Sequence, residues 1–149
     1  MLKRIEIASL IPHQGGMSLL DEIEFWDETH IRCRTASHRN LSNPLRGETG
    51  LLSVCGIEYA AQAVAVHGGL IARKNAGFEA PTGGYLANAK DVVWTIDRLD
   101  DIADDLLVEA EQMISEGGRS IYAFSLSLPG GGGALVRGRV AVVLEGASK

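Results

Sequence analysis

The stretch from residue 51 to 77, "LLSVCGIEYAAQAVAVHGGLIARKNAG", limits what this chain can fold into more than any other. Ser53 is suited to an N-cap, and Asn75-Ala76-Gly77 to a helix stop. Between them apolar and small residues occupy nearly every side, so the predicted helix must be buried rather than lie half exposed. About 20 residues at ~1.5 Å each span ~30 Å, the width of a small domain. A single long buried helix needs other elements to wrap it. The polar exceptions are Glu58 and Gln62, spaced i, i+4 and so on one face.

The rest of the chain supplies the wrapping. Ile23 and Phe25 precede a turn at Asp27-Glu28-Thr29, and Ile31, Cys33 and Thr35 follow it, a period-two pattern that predicts a hairpin. Residues 8–20 read as a loop or single turn, and residues 38–50 as a polar, turn-rich loop. Residues 83–96 read as a strand, kinked or straight. Residues 105–117 alternate Leu107, Glu109 and Glu111 with Val108, Ala110 and Gln112, which favours a strand and leaves a helix open. Residues 119–130 alternate Tyr122, Phe124 and Leu126 with Ile121, Ala123 and Ser125, and residues 134–146 close the series. Gly117-Gly118 and the glycines at 130–133 are hairpin signals. The order strand, strand, long helix, four strands gives an α+β fold with an antiparallel sheet. A sheet curled around one helix is a hot-dog fold.

The 149 residues suit one domain, and 46% hydrophobic content argues against disorder. With net charge −5 and no basic stripe interleaved with aromatics, nucleic acid is not expected as a partner. Cys33 and Cys55 show neither a CxxC nor a zinc spacing, so the expectation is two reduced thiols, no metal, no cofactor and a cytoplasmic protein. The N-terminal apolar stretch is broken by Glu6 and ends at Pro12-His13, too short for a signal segment. No segment is expected to act as a membrane span, which needs about 20 apolar residues. The glycine run at 130–133 lacks the Lys-Ser/Thr of a phosphate cradle, and the acidic run at 97–105 lacks Ca²⁺-loop spacing and reads as a solvated loop.

Two segments resemble a known family. "LIPHQGGMSLLDEI" (10–23) looks like the N-terminal motif of the 3-hydroxyacyl-acyl carrier protein dehydratases, and "GIEYAAQAV" (56–64) like the start of their central helix. The closer likeness is to the dehydratase-like subgroup found beside fatty-acid and aryl-polyene biosynthesis systems. The resemblance implies a homodimer of hot-dogs, or a higher oligomer, with acyl tunnels at the subunit interface. It implies a thioester substrate on acyl carrier protein, with acyl-coenzyme A as the other carrier, and loss of water to a trans-2-enoyl chain. Glu58 falls on the position of the catalytic acid, Gln62 on the glutamine that follows it, and His13 within the framework motif. The family's catalytic histidine stands in a His-Phe-Pro segment about fourteen residues before the acid, where this chain has Asn43-Pro44. The nearest loop histidine is His38, the candidate base.

The chemistry calls for a base at C2 of the acyl chain and an acid for the C3 hydroxyl. A carboxyl buried in an apolar helix would have its pKa raised by desolvation, which suits Glu58 to the acid role. Free N–H groups at the helix start, Ser53 to Gly56, could stabilise the developing oxyanion, with Gly56 admitting a close approach of substrate. Gln62 could orient the Glu58 carboxyl. Against these stand plainer roles. Glu58 could pair with Arg46 or Arg73, Gln62 could satisfy a backbone group, His13 could brace its loop, and His38 and His30 could be surface residues. His67 lies about 180° round the helix from Glu58 and reads as structural. A thioesterase with Glu58 activating water, and a non-catalytic partner of an active dehydratase, remain open as functions on the same scaffold.

Overall fold

The structure, a computed structural model, describes residues 2–3, 19–76 and 84–144. Its strands are β1 (Leu2–Lys3), β2 (Glu22–Trp26), β3 (His30–Thr35), β4 (Gly84–Trp94), β5 (Leu106–Glu116), β6 (Arg119–Ser127) and β7 (Ala134–Leu144). One α-helix, α1 (Gly56–Ala76), stands between β3 and β4. The strands form one seven-stranded sheet in the order β1-β2-β3-β5-β6-β7-β4, and every pairing is antiparallel. This is the hot-dog arrangement: α1 lies against the inner face of the sheet.

Local chemistry explains most of these elements. Asp27 Oδ1 accepts the N–H groups of Thr29 (3.0 Å) and His30 (2.9 Å), closing the β2–β3 turn with a side-chain mimic of a backbone bond. Gly117 (φ 61°) and Gly118 (φ 82°) give the β5–β6 hairpin the two left-handed residues that its tight turn needs. Residues 106–116 are a strand, not a helix, because Leu106, Val108 and Ala110 all meet the core from one face. On β6, Tyr122, Phe124 and Leu126 do the same. β4 departs from its partner β7 at two register shifts, one of them around Asp91, which has φ 54°. That is the kink, built as a bulge.

Three expectations are corrected. The N-terminal strand β1, paired to β2 through Leu2 and Ile23, was not foreseen; two residues are too few to show a period. Ser53–Ala72 does have the length and composition of a membrane span, yet more than half of it is buried inside the fold as a core helix. The acidic loop at 97–105 is not simply solvated. The Asp100 carboxylate is almost wholly buried, accepts Leu51 N–H at 2.9 Å and pairs with Arg98 at 2.7 Å. Arg98 holds its pKa well below the usual carboxylate range. Gly50 (φ 101°) passes so close that a Cβ there would sit 2.6 Å from an Asp100 oxygen.

Candidate functional site

The site is built around the first turns of α1. A 3-10 turn, Ser53–Cys55, leads into the helix. Ser53 does not cap it: its hydroxyl donates to Ile96 O at 2.6 Å and its N–H to Asp97 O at 2.9 Å. Cys55 N–H donates to Leu52 O, and Gly56 N–H to Ser53 O and Val54 O. The amides of Ser53, Cys55 and Gly56 are therefore occupied, which corrects the expectation that this terminus offers them to an oxyanion. Gly56 also proves to serve packing. A Cβ there would meet Leu126 Cδ2 and Val136 Cγ1 at 3.3 Å each, so the close approach is that of the sheet to the helix.

Glu58 lies in the first turn of α1 and is half-buried. The premise of a carboxyl enclosed in an apolar helix is thus corrected; within this chain its surroundings reach the surface. An acidic side chain at this end of a helix is also favoured by the helix dipole. Gln62, one turn on, is 1% exposed, and its Oε1 accepts Leu19 N–H at 2.8 Å. It ties Leu19, within the 10–23 motif, to the central helix. His13 itself lies outside the described residues.

Between Glu58 and the loop stands a residue that sequence reasoning missed. Tyr59 is fully buried, and its hydroxyl meets Ser37 Oγ at 2.8 Å and accepts Asn43 Nδ2–H at 3.0 Å. Asn43 Nδ2 also donates to Ser37 O at 2.9 Å, and its Oδ1 accepts Leu45 N–H at 2.9 Å. The Asn43 carboxamide is thereby committed to holding the loop on the helix. A tyrosine hydroxyl beside Glu58 and an Asn-Pro turn were the available signals.

His38 does not lie in a solvated loop. It is wholly buried in the 3-10 turn Ser37–Arg39, with Nε2 donating to Ile102 O (3.1 Å) and Asp104 O (2.9 Å). Two carbonyl acceptors put the proton on Nε2. Nδ1 is buried without a hydrogen-bond partner, and burial pushes the pKa below its ordinary value. The ring is held by the 102–104 segment. His67 is structural: Nδ1 meets Tyr122 Oη at 2.6 Å and Nε2 donates to Asp27 O at 2.8 Å. His30 begins β3, half-buried, 3.5 Å from Glu109.

Cys33 and Cys55 are free thiols, Cys33 pushed up to about 12 by burial. Among the described residues no three His, Cys, Asp or Glu side chains gather to hold a metal. An open depression of about 630 Å³, lined by Trp26, Asp27, Glu28, Leu70 and Lys74, lies at the other end of α1 from Glu58. Among the described residues the outer edge of β4 pairs with no strand. Trp94, 45% exposed, lies on this edge opposite buried Val136, the same residue that packs on Gly56. Leu52 and Val54, just before the helix, are exposed as well. An apolar open edge thus adjoins the helix turn that carries Glu58.

Comparisons with known proteins agree with this architecture. No curated protein matches the chain. Among solved structures it is similar to the dehydratase heterocomplex ApeI:P from Xenorhabdus doucetiae, with TM-score 0.81 and 21% identity over 93% of this chain and 90% of that one. A hypothetical thioesterase with coenzyme A from Streptococcus pneumoniae shares the fold at TM-score 0.56 and 13% identity, over 84% of this chain and 85% of the other. The PaaI protein from the phenylacetic acid degradation operon of E. coli does so at TM-score 0.56 and 10% identity, over 82% and 81%. The family model described as ApeP-like, ApeP dehydratase, matches residues 5–147. The chain belongs to the ApeP-like dehydratase family.

Proposed function

We propose that this chain is one subunit of a dehydratase that acts on 3-hydroxyacyl thioesters carried by acyl carrier protein, and that a second, different hot-dog chain completes its site. Glu58 protonates the C3 hydroxyl, which leaves as water. A base on the partner takes the C2 proton, and the electron pair of that C–H bond becomes the new C2–C3 double bond. The observation that carries this reading is Asn43. By sequence spacing Asn43-Pro44 falls where the resembling dehydratases carry their His-Phe-Pro segment, and the Asn43 hydrogen bonds to Ser37 O, Tyr59 Oη and Leu45 N–H are structural. A homodimer would repeat Asn43 and supply a base at that place in neither subunit. The open β4 edge beside α1 suits an added subunit, and the related ApeI:P structure is a heterocomplex.

A second reading keeps the chain self-sufficient, with His38 as base. The unpartnered Nδ1 favours it, since the carbonyls at 102 and 104 fix the tautomer that leaves this lone pair available. Complete burial weighs against it, because the 102–104 segment would have to move before the ring met a thioester.

The test is to incubate the chain alone, a candidate second hot-dog chain alone, and the two together with 3-hydroxyacyl-loaded carrier protein, following the acyl mass. Water loss that needs the mixture, or is much faster in it, supports the proposal. Water loss by the chain alone that disappears in His38→Gln selects the second reading. Release of free acid in place of water would replace both with a thioesterase.

A further inference from the structure

The register of β4 against β7 sets two cations directly opposite each other: Lys90 pairs with Arg139. Arg137, two residues along β7, lies on the same face, and all three side chains are exposed. Like charges directly opposed across a ladder destabilise a sheet. Among the described residues none of the three makes an ion pair or side-chain hydrogen bond. The neighbouring positions on β6 are Ala123 and Ser125, too short to supply a counter-charge. Glu109 and Glu111 lie one strand further, on β5. Asp91 follows Lys90 in the bulge and forms no ion pair among the described residues. This arrangement contrasts with β2 and β3, where Arg32 and Arg34 both pair with Glu24. In a chain of net charge −5 the concentration of uncompensated positive charge is local.

We infer that Lys90, Arg137 and Arg139 are the docking surface for the acidic face of the carrier protein that presents the thioester. The inference rests on the carrier-bound substrate proposed above and assigns where that carrier sits. Charge complementarity selects an acidic protein, and exposed Val93, paired with Arg137, adds an apolar contact beside it. The patch borders the open β4 edge. From there a flexible arm reaches the inner side of the sheet past Trp94, whose partner Val136 packs against Gly56 at the start of α1.

The decisive variant is Lys90→Glu. It turns an opposed like-charge pair into a salt bridge, so its thermal midpoint should equal or exceed that of the parent. Its affinity for holo-acyl carrier protein should nevertheless fall. The double variant K90E/R139E should bind the carrier about tenfold more weakly at low salt, a difference that shrinks as salt rises. Turnover of a carrier-free 3-hydroxyacyl pantetheine thioester, measured with the partner subunit present, should be unchanged. Carrier binding equal to the parent in both variants would overturn the docking surface whether or not the enzyme turns over. Weakened, salt-sensitive carrier binding would uphold it even if no water is lost from either substrate, an outcome that would count against the dehydratase reading alone.

Discussion

Gln62 on the central helix accepts the backbone N–H of Leu19 at 2.8 Å, and both residues are almost completely buried. The other polar group of Leu19 is held as well: its carbonyl accepts the Ser37 hydroxyl at 2.7 Å and the Thr35 hydroxyl at 2.5 Å. One peptide segment is thus pinned from two sides, by the helix and by the β3 end. A carboxamide in an apolar helix is stable here because it answers a buried backbone donor. Glu58, four residues earlier on the same face, is half-buried.

These two residues should therefore behave oppositely on substitution. Gln62→Leu removes the acceptor of a buried N–H and should cost about 1–3 kcal/mol of unfolding free energy, read from urea denaturation. Glu58→Gln keeps the shape and hydrogen-bonding oxygen of a half-buried side chain and should cost less than Gln62→Leu. Similar losses in both would show that Glu58 is a structural carboxylate.

Stability should fall in mild acid. His38 and His67 are wholly buried, and burial pushes both below their ordinary pKa of 6.5. The charges facing them are Arg39 and Asp105 for His38, and Asp27, Glu28 and His30 for His67. Because the folded values lie below the unfolded ones, the unfolded chain binds protons first as pH drops. The contribution is complete above the ordinary value of 6.5 and is lost as pH falls through and below it. Urea midpoints should be lower at about pH 5.5 than at about pH 8 with similar slopes, and His67→Gln should reduce the difference. A midpoint that does not change over this interval would contradict the assignment of neutral, buried imidazoles.

The β4 edge makes a further prediction. Trp94→Glu places a charge on an exposed apolar strand edge. It should leave the fold of the single chain intact and weaken association with a second hot-dog subunit by about tenfold or more, measured by sedimentation. Unchanged association would move the interface elsewhere.

How much of this could be read beforehand depends on the range of each interaction. The α1 helix, the Asp27 turn and the Gly117-Gly118 hairpin announce themselves because their determinants lie within a few residues. The alternation along 119–127 shows the inner face of β6 for the same reason. Ser53 looked like a cap, but its hydroxyl goes to Ile96 O on a loop brought close only by the fold. The Asn43–Tyr59–Ser37 node and the burial of His38 under residues 102–104 were likewise set by long-range packing. The Asn43-Pro44 pair shows only that a histidine is missing there; the amide's bonds to Ser37 and Tyr59 depend on residues brought together by the fold.

On the proposed reading, Glu58 supplies the acid of a water-eliminating site shared with another subunit. The most direct measurement is turnover of 3-hydroxyacyl-loaded carrier protein by the chain and its partner, comparing the parent with Glu58→Gln at matched folding and matched carrier binding. We predict that the enoyl product forms with the parent pair and falls to the background of the partner alone with Glu58→Gln. Undiminished enoyl formation by that variant would contradict the account.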